Sequence, residues 1–314
     1  MGKHNAGRFV AILLSIVIYG VSLVVNALSV MGVGPFSTTT GNVSDVFVTE
    51  VTPSGWTFSI WSVIYVWLTF VIIYFLANLC RKNAYGYVYC SPPVFPYGFF
   101  ICWCLNLCFN IAWLLVWDRA WMIAALVFLI LVAGTNYGMI SFACHGLHVY
   151  GAWLKEYHKV DLLLIRILVQ NGVMIYTVWT TIATLINLAI VLTYTANVSP
   201  TNAATVCYCI LTFMLLAWFF LQNVFLDKHM RYVLIDYPVV IWALAGNLDK
   251  NYIAESPSRS GIFIVVLLAA AVLLYIIRLV LVIWRHCKQP LYNGISLESM
   301  EPMEINQQQK RALR

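Results

Sequence analysis

Apolar residues run along this chain in long unbroken blocks, at 8–31, 57–79, 96–117, 121–143, 172–194, 203–226, 232–246 and 262–284, with short polar segments between them. Most blocks are close to the roughly 20 residues that a helix needs to cross the hydrocarbon core of a bilayer. Lipid offers no hydrogen bond to an open backbone, so such blocks must form helices or a closed barrel. A barrel requires apolar and polar positions to alternate, and continuous runs exclude that. The pattern therefore predicts an all-α polytopic membrane protein with about eight transmembrane helices. The seventh block is short and carries Pro238 near its start. The first is longer than the core of a secretory leader and is expected to be a retained helix.

Composition agrees: 62% of the 314 residues are hydrophobic and 10% are charged, against about a quarter charged in soluble domains. The formal charge of +6 does not indicate nucleic acid, because the basic residues flank the apolar blocks instead of forming a patch. They are placed as orientation in a membrane requires, which makes lipid the expected partner. With the N-terminus in the cytoplasm, only Arg119, Lys250 and Arg259 of the 18 Lys and Arg fall outside, while Arg278 lies within the last block. That asymmetry puts both termini inside. Arg278, roughly two turns from the inner end, is expected to reach the headgroups by snorkelling.

The connecting segments carry little chemistry. The outer loop 32–56 holds the sequon Asn42-Val43-Ser44, so Asn42 is a candidate glycosylation site. Segment 144–171 is expected to be the largest cytoplasmic loop, and the polar stretch 286–314 a disordered tail. Most of the nine cysteines lie in or beside apolar blocks and act as small hydrophobes. Cys80 and Cys90 bracket a loop on the reducing side. His145, His148 and His158 have no carboxylate or Cys at a supporting spacing, so no metal site is expected. No catalytic constellation stands out.

Within the blocks, aromatic and amide side chains recur at helical spacing. Trp103, Asn106, Asn110, Trp113 and Trp117 share one face of the third block. Gly172, Tyr176, Trp179, Ala183 and Asn187 share one face of the fifth, and Phe58, Trp61 and Tyr65 one face of the second. An Asn amide in hydrocarbon is costly unless paired, so these faces must meet protein or a ligand. Either they are packing surfaces with Asn as polar glue, or they line a shared aromatic pocket.

The stretch Thr52-Pro53-Ser54-Gly55-Trp56-Thr57-Phe58-Ser59-Ile60-Trp61-Ser62-Val63-Ile64-Tyr65 resembles the loop-to-second-helix signature of the TspO/MBR family (translocator protein, tryptophan-rich sensory protein). Asn110-Ile111-Ala112-Trp113 with Trp117, and Tyr176, Trp179, Ala183 and Asn187, resemble its third- and fifth-helix patterns. The resemblance implies a TspO-like five-helix unit over 1–194, followed by three more helices over 195–285 as in a longer subgroup. It implies that a tetrapyrrole such as haem or protoporphyrin, or a sterol, binds within the bundle, with no established turnover. Trp56, Trp61, Asn110, Trp113, Tyr176, Trp179 and Asn187 would line that pocket. The family's proline before the fifth-helix Tyr is missing; Ile175 precedes Tyr176 and Gly172 stands upstream.

Five-helix relatives are associated with the mitochondrial outer membrane, but Asn42 and the additional helices point to the plasma membrane or an endomembrane. Ala133, Gly134 and Gly138 on the fourth block would let a second copy pack closely as a homodimer, or equally let helices of one copy approach one another. The competing expectation is a multipass small-molecule transporter, with Pro238 and Gly246 bounding a broken helix. Against it, the blocks offer few ionisable groups suited to ion or proton coupling.

Overall fold

The computed structural model describes residues 4–292, so most of the expected disordered tail lies outside the described residues. The apolar blocks form helices, with polar residues ending several of them. Asn5 caps α1 (Ala6–Met31) by accepting the Arg8 N–H, and Gly32 closes it in the left-handed region at φ 65°. A short α2 (Thr40–Val46) and a 3-10 turn (Gly55–Ser59) lead into α3 (Ile60–Cys80). A minimal antiparallel hairpin, with Lys82 opposite Tyr87, precedes α4 (Tyr97–Asp118) and α5 (Met122–Tyr157). Next, α6 (Lys159–Leu164), a π-helical stretch Ile165–Asn171, α7 (Gly172–Ile190) and a second π stretch Val191–Thr195 run on as one rod. Finally come α8 (Pro200–Phe220) with its π stretch Leu221–Phe225, α9 (Asp227–Met230), α10 (Asp236–Asn251) and α11 (Arg259–Lys288).

Seven of these helical rods are long and apolar enough to cross a membrane, which makes the chain an all-α polytopic membrane protein. The eighth expected crossing is altered. The block at 232–246 forms α10 four residues later, and 16 residues reach only about 24 Å, short of a core of about 30 Å. Pro238 sits in its first turn, where a missing N–H costs nothing, so α10 is unbroken. The expected cytoplasmic loop 144–171 is not a loop either. Apart from a break at His158, helix continues through it, because α5 and the α6–α7 rod extend past their apolar blocks.

The helices form two rings that share one wall. Around the first, α1 packs on α4, α4 on α5, α5 on α7, α7 on α3 and α3 on α1; around the second, α7, α8, α11 and α10 pack in turn. Helix α7 is thus flanked on both sides, and 13 of its 19 residues are buried. Upstream of Tyr176, Gly172 lets the Trp67 indole pack directly on the helix backbone. The ring ends are pinned by polar contacts. At one end Arg81 grips the buried Asp161 through both guanidinium nitrogens, at 2.7 and 2.8 Å. At the other, Asp118 accepts the Ser37 and Thr38 N–H groups at 3.0 Å.

Candidate ligand-binding site

Trp61, the second residue of α3, is the hub of an aromatic cluster inside the first ring. Its indole lies 6.0 Å from Tyr65, 6.3 Å from Trp113, 6.0 Å from Tyr176 and 6.2 Å from Trp179, centroid to centroid. The cluster extends through Phe58, edge-on to Trp179 at 6.0 Å, and Trp117, 5.6 Å from Trp113. Spacings of 3 and 4 place these rings on the inward faces of α3, α4 and α7. Trp113, Tyr176 and Trp179 are buried while Trp61 and Tyr65 are half-buried.

The polar groups divide into two kinds. One set is satisfied: the Tyr65 hydroxyl donates to Asn26 Oδ1 at 2.6 Å, and Asn26 Nδ2 donates to Asn110 Oδ1 at 3.0 Å. This chain ties α3, α1 and α4 together beside the rings. The other set is buried with no hydrogen-bond partner among the described residues: Trp113 Nε1, the Tyr176 hydroxyl, Trp179 Nε1 and both ends of the Asn187 amide. A buried polar group left unmade costs about 1–3 kcal/mol, so several in one region call for an explanation.

Of the residues expected to line a pocket, Trp61, Trp113, Tyr176 and Trp179 come together, with Asn110 beside them. Trp56 does not join them. It is 44% exposed, donates to Asp249 at 3.0 Å and meets Trp242 edge-on at 4.8 Å. Asn187 lies two turns beyond Trp179, about 12 Å along the helix. Asn106, on the Trp113 face, is packing glue: it donates to the Val132 carbonyl at 2.9 Å and Thr135 at 3.0 Å. Asn26, not singled out from sequence, had a signal: an amide inside an otherwise apolar block.

Two pockets lie elsewhere. One, beneath segment 88–95, is lined by Tyr74, Phe75, Asn78 and Asp161 among others. The second sits in the other ring between Ile182, Leu185, Tyr208, Leu244 and Asn247, under Val51 and Pro53. Neither is lined by Trp61. His148 stacks on His229 at 4.1 Å, and no group of three potential metal ligands occurs among the described residues.

These features define a multipass helical membrane protein with an aromatic, partly unsatisfied interior. Sequence comparison makes the assignment specific: the model of the family described as TSPO-like protein matches residues 11–280, and the chain belongs to that family. The match takes in the last three helices as well as the first five. Searches of curated proteins and of solved structures each returned no match.

Proposed function

We propose that this protein binds an apolar ligand of the tetrapyrrole or sterol class among Trp61, Trp113, Tyr176 and Trp179, as a receptor or carrier within the membrane. The observation that carries this reading is the set of unpartnered donors around Trp61, namely Trp113 Nε1, the Tyr176 hydroxyl and Trp179 Nε1. A flat apolar molecule bearing hydrogen-bond acceptors would satisfy them while stacking on the rings. Entry would displace Trp61, which is half-buried and follows the short 3-10 turn. The test is equilibrium binding of protoporphyrin and of cholesterol to the detergent-purified protein, beside Tyr176→Phe. Saturable binding weakened in the variant, with its thermal stability unchanged or raised, supports the reading. Removing an unpartnered hydroxyl from a mere packing face would leave no binding to weaken.

A second reading, small-molecule transport, gains from the last three helices. Arg278 is fully buried and does not snorkel: it faces the bundle, donating to Asn223 at 2.8 Å and to the Met230 carbonyl at 3.0 Å. The second ring therefore does hold interior ionisable groups. Substrate flux in proteoliposomes separates transport from binding alone.

A further inference from the structure

The second ring encloses a polar centre that the aromatic cluster does not use. Asp236, at the start of α10, is 2% exposed. Its Oδ2 accepts from Trp218 Nε1 at 2.7 Å, and its Oδ1 has no partner among the described residues. Arg278 on α11 commits two guanidinium nitrogens to Asn223 and to the Met230 and Arg231 carbonyls, which leaves Nε unpartnered. The Tyr237 hydroxyl and Gln222 Oε1 are likewise buried and bare. Tyr237 stacks on Tyr275 at 6.0 Å and meets Phe219 edge-on at 6.4 Å.

The free atoms complement one another. Two are acceptors (Asp236 Oδ1 and Gln222 Oε1), one is a donor (Arg278 Nε–H), and one is a hydroxyl that can do either. Water, with two donors and two acceptors, is the smallest species able to serve such a set, and buried water characteristically makes about three bonds to groups of this kind. Gln222, which donates to the Val233 carbonyl at 3.1 Å, and Asn223, which accepts from Arg278, lie buried on the π stretch Leu221–Phe225, a helix irregularity often found at functional sites.

Asp236 has no direct ion pair among the described residues. The carboxylate within 4.0 Å of Arg278 is instead Asp227, at 3.9 Å. A buried carboxyl with one bare oxygen and no cation bonded to it is favoured in its neutral form, and ionisable groups inside membranes commonly serve proton relays. We propose that Asp236, together with Arg278, Tyr237, Gln222 and bound water, forms a proton-binding site within the last three helices. Asp236 Oδ1 takes a proton that arrives from the aqueous phase as hydronium and is passed on by the water bound in the centre, which is left as neutral water, and the proton returns by the same route. Protonation forms one O–H bond and breaks one, with no change of oxidation state.

The charged and titratable groups facing Asp236 are few. From α11 they are Arg278 and Tyr275, and from α10 itself Tyr237. Helix α8 presents Trp218, Gln222 and Asn223 at this level, none of which titrates. The one titratable side chain of α7, Tyr176, belongs to the Trp61 cluster. At the mouth of the site, Asp227 is held by Arg231 and Arg285.

The test is infrared difference spectroscopy of the full-length protein in liposomes as the pH is lowered. The expected result is a protonated-carboxyl band that shifts in heavy water, disappears in Asp236→Asn, and moves but persists in Asp236→Glu. Tyr237→Phe should alter the band's position, because the hydroxyl shares the bound water. A band unchanged in Asp236→Asn, or no carboxyl band in either the native protein or Asp236→Glu, would overturn the proposal. An unaltered band in Tyr237→Phe would contradict the water-linked site.

Discussion

Asp227 shows how one side chain sets the charge balance at one end of the molecule. Its carboxylate receives Arg231 at 2.5 Å and Arg285 at 2.6 Å. Burial pushes the carboxyl up, but the hydrogen bonds from Arg231 and Arg285 outweigh it and hold the group below the usual carboxylate range. A carboxyl depressed by folding contributes stability above its unfolded value, near 4, which is lost as the pH falls through the folded value. Asp227→Asn should therefore cost about 1–3 kcal/mol near neutrality, and the gap from the native protein should narrow in acid. Thermal unfolding in detergent across pH checks this; a gap independent of pH would contradict it. At this scale the sequence is a partial guide. Periodicity placed Trp61, Trp113, Tyr176 and Trp179 on inward faces, but it could not show that the 3-10 turn swings Trp56 outward to Asp249. Nor could it distinguish a snorkelling Arg278 from one drawn inward, since that depends on Asn223 and two carbonyls from a different part of the chain.

Among the elements, the apolar blocks located the helix centres but not all their ends. A helix persists past its apolar block wherever packing or a cap supports it, which is why α5 and the α6–α7 rod consume the expected loop 144–171. The least legible element was α10, whose position depends on contacts far away in sequence. Gly246 lies against the buried Thr57 side chain, its carbonyl accepts the Ser54 N–H at 2.9 Å, and Asn247 donates to the Val51 carbonyl at 2.8 Å. A methyl group on Gly246 would collide with Thr57 Oγ1. Gly246→Ala should destabilise the protein by about 1–3 kcal/mol through overpacking. Gly20→Ala, whose added methyl meets nothing within 4 Å, should cause no loss. Equal unfolding temperatures for the two variants would show that α10 does not dock as described.

For the whole molecule, α7 is the wall common to a ring of five helices and a ring of four, an arrangement that block order along the chain does not reveal. Connections fall at two ends. Segments 32–56, 119–121, 196–199 and 252–258 gather at one, as the Glu50–Thr201 and Arg259–Asn202 hydrogen bonds at 2.7 Å illustrate. Segments 81–96, 226–235 and 289–292 gather at the other, where Arg231 donates to the Gln289 carbonyl at 2.6 Å. Asn42 is exposed at the first end, within α2. If that end faces the lumen of the secretory pathway, the protein expressed in eukaryotic cells should carry a glycan at Asn42. Endoglycosidase treatment should then increase its gel mobility, and Asn42→Gln should abolish the shift. A shift that survives the substitution would assign the glycan elsewhere. Gly138 is used up against Cys102, whereas Gly134 faces open space, so of that small-residue set Gly134 remains free for a second copy.

The most direct test of ligand binding in the aromatic cluster is titration of protoporphyrin and cholesterol into the native protein and into Trp61→Leu and Trp179→Leu variants that remain folded. Binding that is saturable in the native protein and at least tenfold weaker in both variants, about 1.4 kcal/mol, is the predicted result. Affinity indifferent to both substitutions, or no saturable binding at all, would mean that the Trp61 cluster is packing and that any ligand binds elsewhere.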